Sequence, residues 1–145
     1  YNTEVKSHFI TEGIDGDIDF GDREHQIYAL EGTDILAKKG KFVELAAKEC
    51  ESGRCVYISG LPYSLKNTRL LYRAILWASH GEEDIYKWFS SNENVEVNAY
   101  LENNKFCAVN NTYSEQESVI YRGDKSSFHI KLAPNEIKWF EIEEK

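Results

Sequence analysis

The acidic loop Asp15-Gly16-Asp17-Ile18-Asp19-Phe20-Gly21-Asp22 is the densest set of side chains in this sequence that could do chemistry. Carboxylates at alternate positions are what a calcium loop uses, but the EF-hand pattern needs glycine at its sixth position and a bidentate glutamate at its twelfth. Phe20 and Gln26 stand in those places, between strand-like runs rather than helices, so a solvated loop is expected and no metal ligand is assigned. Carboxylate pairs also serve the cleavage of glycosidic bonds. With 25 acidic residues in the chain, such pairs arise freely and none is singled out.

Three further groups of residues invite a chemical reading. The turn Gly60-Leu61-Pro62-Tyr63-Ser64 leads from a strand to a helix, where anions bind readily. It has no Gly-Lys-Ser/Thr element and no Gly-x-Gly-x-x-Gly fingerprint, and Pro62 lowers the number of backbone donors, so a structural turn is expected. Cys50, Cys55 and Cys107 would each need a strained elbow and a paired base to act as nucleophiles. All three fall in strand patterns, and no spacing singles out His8, His25, His80 or His129 as a base. Buried free thiols are the expectation, although Cys50 and Cys55 flank the turn at 51–54 and could face each other across it. Of the aromatics, Trp77, Trp139, Tyr100 and Tyr121 stand at periodic positions that suit a core or an interface. Trp88 is the least constrained by period and is the candidate for stacking on a sugar ring. No catalytic residue and no cofactor is assigned.

The elements that would position these residues divide at about residue 83. In 1–83, His8-Phe9-Ile10 and Ile27-Tyr28-Ala29-Leu30 read as short strands. Phe42 to Cys50 alternates with Val43, Leu45 and Ala47 on one face, and Gly53 turns the chain into the run Cys55-Val56-Tyr57-Ile58. That run is apolar without a break, which suits a strand covered on both faces, as in parallel or mixed sheets. Gly60 is expected to let the chain turn, and Asn67 to cap a helix running from about Thr68 to Ser79. Its apolar stripe is Leu70, Leu71, Ala74, Ile75 and Ala78, and His80 and Gly81 close it.

In 84–145 the period changes to two. Val95, Val97 and Ala99 alternate with Glu96 and Asn98, residues 102–105 turn, and Phe128, Ile130 and Leu132 form a second such series. Ile137, Trp139 and Glu141 alternate with Lys138, Phe140 and Ile142. Four or five short strands indicate a small antiparallel sandwich or barrel-like domain. The fold class is therefore α+β: the end of an α/β layer with one main helix, then a β domain.

A formal charge of −8 and the lack of a basic stripe speak against nucleic acid as a partner. No apolar run is long enough for a membrane span. The odd cysteine count without a Cys-x-x-Cys pair suits a reducing, cytoplasmic compartment, and the sequon Asn110-Asn111-Thr112 has no secretory context. The start at Tyr1 and the lack of methionine read as a piece of a longer chain. The first part also has only one helix to cover a sheet, which leaves the other face in need of further chain.

Gly53-Arg54-Cys55-Val56-Tyr57-Ile58-Ser59-Gly60-Leu61-Pro62-Tyr63-Ser64 and Asn67-Thr68-Arg69-Leu70-Leu71-Tyr72-Arg73-Ala74-Ile75-Leu76-Trp77 resemble the central region of the lacto-N-biose phosphorylases. The resemblance runs on through Asp17-Ile18-Asp19-Phe20-Gly21, Tyr28-Ala29-Leu30-Glu31-Gly32-Thr33, Trp88-Phe89-Ser90-Ser91-Asn92, Asn94-Val95-Glu96-Val97, Val109-Asn110-Asn111-Thr112, Tyr121-Arg122-Gly123-Asp124 and Pro134-Asn135-Glu136-Ile137-Lys138-Trp139. The same central layer resembles the class I glutamine-amidotransferase-like domains, and because Cys50, Cys55 and Cys107 fall in strand patterns it is expected to be catalytically silent. The phosphorylase resemblance implies a barrel domain ahead of Tyr1 that carries the catalytic acid and the sugar pocket. The parent would split galactosyl-N-acetylhexosamine with inorganic phosphate, with inversion, and could form a homodimer. The chain would then be a non-catalytic portion of a glycoside phosphorylase. Two other readings stand beside it: a galactosyl-rhamnose phosphorylase, and a stand-alone β-rich carbohydrate-binding or scaffolding module.

Overall fold

The computed structural model describes residues 1–22 and 26–142. The chain forms two compact units, Tyr1–Glu82 and Glu83–Lys145. Among the described residues no helix is long and apolar enough to cross a membrane.

The first unit is a three-stranded antiparallel sheet, β1 (Asp34–Lys39), β2 (Phe42–Cys50) and β3 (Gly53–Ile58), in that spatial order, with helix α1 (Leu65–Ala78) following β3. Cys50 pairs with Gly53, so the β2–β3 turn holds two residues, and Glu51 takes a positive φ there. The ladder of β1 on β2 is interrupted twice: Leu36 and Glu44 have no partner. An extra residue in a strand reverses the side that its neighbours face. Leu45 and Ala47 accordingly pack with Leu36, Leu70, Ala74 and Trp77, whereas Val43 joins Ala29, Ile35 and Ala46 in a separate cluster. The simple alternation expected for Val43, Leu45 and Ala47 fails at this bulge.

Other local expectations are corrected as well. Residues Phe9–Thr11 form a 3-10 turn instead of a strand, because the Nδ1 atom of His8 accepts from the Ile10 amide and caps it. In 27–30 only Ala29 makes a β-bridge, to Asn2. Helix α1 starts earlier than expected because Ser64, not Asn67, is the cap: its hydroxyl accepts from the Asn67 amide at 3.0 Å. At the other end Gly81 and His80 donate to the carbonyls of Leu76 and Trp77, and His80 itself takes the left-handed conformation at φ 58°. That double bond closes the helix as a glycine-terminated motif would, with histidine in the strained place.

The buried face of α1 is Asn67, Leu70, Arg73, Ala74 and Trp77. Leu71 and Ile75 are 43% and 57% exposed, so the stripe inferred from apolar residues alone was centred about one position too far round. Arg73 displaces them. Its Nε donates to the Phe9 carbonyl at 2.6 Å, its Nη2 reaches Glu12 at 3.1 Å, and its guanidinium lies 4.2 Å from the Phe9 ring centre. A paired, stacked arginine is thus held where a periodicity argument expects a hydrophobe.

The second unit contains two three-stranded antiparallel sheets, each with its own strand order. One is β4 (Phe89–Ser90), β7 (Gln116–Tyr121) and β8 (Ser127–Leu132); the other is β5 (Val95–Tyr100), β6 (Lys105–Asn110) and β9 (Ile137–Glu141). Val95, Phe106 and Ala108 from one sheet pack with Ile120, Ile130 and Leu132 from the other, which makes the unit a small β-sandwich. Phe106 is its centre, with Phe140 stacked at 5.0 Å and Phe128 edge-on at 6.2 Å. The inward residues of β9 are Lys138 and Phe140, which leaves Trp139 and Ile137 on the outer side.

Candidate functional site

The strand-to-helix turn at 59–64 is where the chain brings its most suggestive elements together. An added Cβ at Gly60 would lie 2.4 Å from the Phe20 carbonyl oxygen, so the close passage of the acidic loop requires glycine here, not the turn itself. The Asn67 side chain, buried at the start of α1, donates to the Asp19 carbonyl at 2.8 Å and to the Pro62 carbonyl at 2.7 Å. Its own Oδ1 is buried without a hydrogen-bond partner. Lys66 Nζ approaches the Asp17 carbonyl at 3.4 Å, and Asp19 accepts from the Gly21 amide at 2.8 Å. Carbonyl oxygens of two loops therefore converge on the turn. An anion site needs donors, and the Ser64 hydroxyl already takes the Asn67 amide. The arrangement clamps the acidic loop to the helix; among the described residues no three His, Cys, Asp or Glu side chains are grouped so as to hold a metal.

The thiols and imidazoles are not assembled for nucleophilic chemistry. Cys107 is buried, and desolvation raises its pKa and so disfavours the thiolate. Cys50 and Cys55 are exposed, which corrects the expectation of three buried thiols. Cys50 stands opposite Gly53 and Cys55 opposite Lys48, so the two cysteines are not directly across from one another. His80 is exposed near the Ser52 carbonyl, and His129 is exposed 4.0 Å from Glu117. His25 lies outside the described residues. His8 is packed edge-on against Trp77 at 4.9 Å, and burial lowers its pKa, the nearby Asp34 opposing.

A half-buried charged group, which spacing does not reveal, joins the C-terminal end of α1 to distant chain. Arg54 donates from Nη1 to the Trp77 carbonyl at 2.8 Å and also to Glu82, while its guanidinium lies 4.8 Å from the Trp77 ring centre. The first bond adds a second donor to a carbonyl in the last turn of α1 that the His80 amide already serves. The only available signal was an arginine in an apolar strand run.

Of the aromatics, Trp77 is buried in the first unit. Trp88 takes a positive φ of 49°, and its indole packs against Phe106 at 5.2 Å in the second unit's core. A Cβ at Gly123 would fall 2.7 Å from the same indole, so glycine there makes room for the ring. Tyr121 packs on Tyr86 at 5.0 Å. Tyr100 and Trp139 are both about half exposed and lie against each other at 5.5 Å on the outer side of β5 and β9.

The polar groups of the second unit are also committed to structure. The Asn110 side chain, 1% exposed, donates to the carbonyls of Ser114 and Ala133, and its Oδ1 accepts from the Thr112 amide and hydroxyl. Asn92 similarly bridges to Gln116 and the Glu117 carbonyl. The residues of the former sequon are thus a strand-end clamp.

Comparison with known proteins gives these two units their place. The lacto-N-biose phosphorylase central domain matches residues 1–84, and the lacto-N-biose phosphorylase C-terminal domain matches 88–140. The chain is 57% identical over 98% of its length to a 1,3-beta-galactosyl-N-acetylhexosamine phosphorylase of Lachnoclostridium phytofermentans, and 51% identical over 97% to a second one from that organism. A phosphorylase of the same name from Bifidobacterium longum is 39% identical over 87% of the chain. The chain spans about a fifth of the length of these relatives, 20%, 19% and 17% in turn. The chain belongs to the lacto-N-biose phosphorylase family.

Proposed function

We propose that residues 1–145 are a non-catalytic part of a polypeptide that splits 1,3-β-galactosyl-N-acetylhexosamine with inorganic phosphate. The observation that carries this reading is the 57% identity, sustained across both units, to a relative bearing that name. In the proposed reaction a phosphate oxygen bonds to the anomeric carbon of galactose from the face opposite the leaving group. The glycosidic C–O bond breaks, and a carboxylic acid elsewhere in the polypeptide protonates the departing oxygen. The products are galactose 1-phosphate, with inverted configuration, and the free N-acetylhexosamine. A scaffolding role for this region is supported by where its reactive side chains are spent: Arg73 on the Phe9 carbonyl, Arg54 on the last turn of α1, Asn110 on a strand clamp, Trp88 on a core. The partners in this reading are the rest of the same polypeptide, with its barrel, and a second copy in a homodimer. Free cysteines accord with a reducing, cytoplasmic setting.

Full-length protein, incubated with phosphate and the β-1,3 disaccharide, should release galactose 1-phosphate; residues 1–145 alone should not. Preference for galactosyl-rhamnose over the N-acetylhexosamine disaccharide would move the assignment to the neighbouring specificity. Turnover by the 145-residue chain that survives repurification would overturn the non-catalytic role.

A further inference from the structure

The two edges of the first sheet are built in opposite ways. β1 carries Asp34, Lys38 and Lys39, and its ladder with β2 is broken at Leu36 and Glu44. Its outer side is also covered: Lys6 donates its amide to the Ile35 carbonyl at 2.8 Å, Val5 bridges Ile35, and Lys38 Nζ reaches the Thr3 carbonyl. Charges, bulges and a covering segment are how natural sheets protect an edge from pairing further.

β3 has no bulge, no segment is bridged to its outer side among the described residues, and its one charge, Arg54, stands at its start. Its six residues pair with β2 in unbroken register from Gly53 to Ile58. Its second half, Val56-Tyr57-Ile58, has no charge and no proline. Ser59 donates inward to the Glu44 carbonyl, and inward amides alternate along an antiparallel ladder. The amides and carbonyls of Val56 and Ile58 therefore point away from β2. No hydrogen bond among the described residues reaches those two amides. A regular, apolar, unprotected edge is the mark of an interior strand. The helix that follows repeats the pattern, with Leu71 and Ile75 bare on α1.

We infer that β3 is an interior strand of a larger sheet, and that its outer edge receives a strand of the same polypeptide from outside residues 1–145. The occupant is argued from length: matched relatives extend over about five times this chain, and residues 1–84 match the family's central domain. The inference rests on the reading that this chain belongs to a longer polypeptide, and its test is independent of that polypeptide's activity.

Hydrogen exchange on the full-length protein, resolved to single amides, gives the answer. Val56 and Ile58 should stay protected for minutes to hours, as Cys55 and Tyr57 do, at every protein concentration. Exchange of Val56 and Ile58 at the rate of an open chain, with Cys55 and Tyr57 still protected, would leave the edge free and overturn the inference. Protection that disappears on dilution would assign the edge to a second copy and overturn it equally. Phosphorolysis assayed on the same sample separates the two readings: protected amides without turnover would sink the proposed activity and leave the strand pairing standing.

Discussion

The sandwich of the second unit and the helix-on-sheet of the first reach stability by different routes. In the sandwich, aromatic rings from both sheets converge on Phe106, and buried amides such as Asn110 have their donors and acceptors matched within the unit. In the first unit, arginines reach across long stretches of sequence to hold α1, and apolar residues remain bare on the helix. Two sheets facing each other bury both inner faces. A sheet with a single helix covers one face and relies on short satellite clusters, such as Ala29, Ile35, Val43 and Ala46, for the other. The comparison teaches that closure, rather than size, separates the two units.

Core truncations test this most strongly. Phe106→Ala should destabilise the sandwich by about 3–5 kcal/mol, and Leu70→Ala the first unit by about 2–5 kcal/mol, because both side chains are fully enclosed. Leu71→Ala, in the isolated 145-residue chain, should stay within roughly 0.5 kcal/mol. Urea melts monitored by unit-specific amide signals would check all three; an equal shift for Leu70→Ala and Leu71→Ala would mean that the buried face of α1 is misassigned.

Two glycines sharpen the contrast at intermediate size. Gly60→Ala drives a methyl into the Phe20 carbonyl, and Gly123→Ala drives one into the Trp88 indole. Each should cost about 1–3 kcal/mol. The first should loosen the acidic loop at 15–22 in exchange measurements, while the second should shift the Trp88 indole resonance. If Gly123→Ala leaves that resonance in place, the ring is not held as described.

The smallest expected effect is a pH slope in the first unit. Burial holds the pKa of His8 below its ordinary value. As pH falls through about 6.5 the unfolded chain takes up a proton before the folded one does. Stability is therefore complete above that pH and declines below it, down to the depressed folded value. His8→Gln should flatten the decline in melts of the first unit and leave the second unit's pH profile unchanged. An unaltered slope would assign the titration to another group.

Much of the sandwich was legible because period two is unambiguous where one face is buried: Val95, Val97 and Ala99, and Phe128, Ile130 and Leu132, turn inward as their alternation requires. The first unit was less legible, and at specific residues. Glu44 and Leu36 break the alternation without a glycine or proline to announce it. Asn67 looked like a cap but is a clamp, because Ser64 stands one turn earlier and the Asn67 side chain is taken by the carbonyls of Asp19 and Pro62. Trp88, the sugar-stacking candidate, packs against Phe106, while the exposed ring pair is Tyr100 with Trp139.

By itself the sequence determined the class of each region, the helix with its closing His80-Gly81, the hairpin of β2 with β3 and the family, since these depend on local propensity, short-range period and identity of residues. Only the tertiary structure decided which face of α1 is buried, what Gly60 and Gly123 make room for, and which edge of the first sheet lies open. Those outcomes turn on contacts between residues tens of positions apart, such as Arg73 with Phe9 and Gly60 with Phe20, whose side-chain pairing and steric closeness no local pattern encodes.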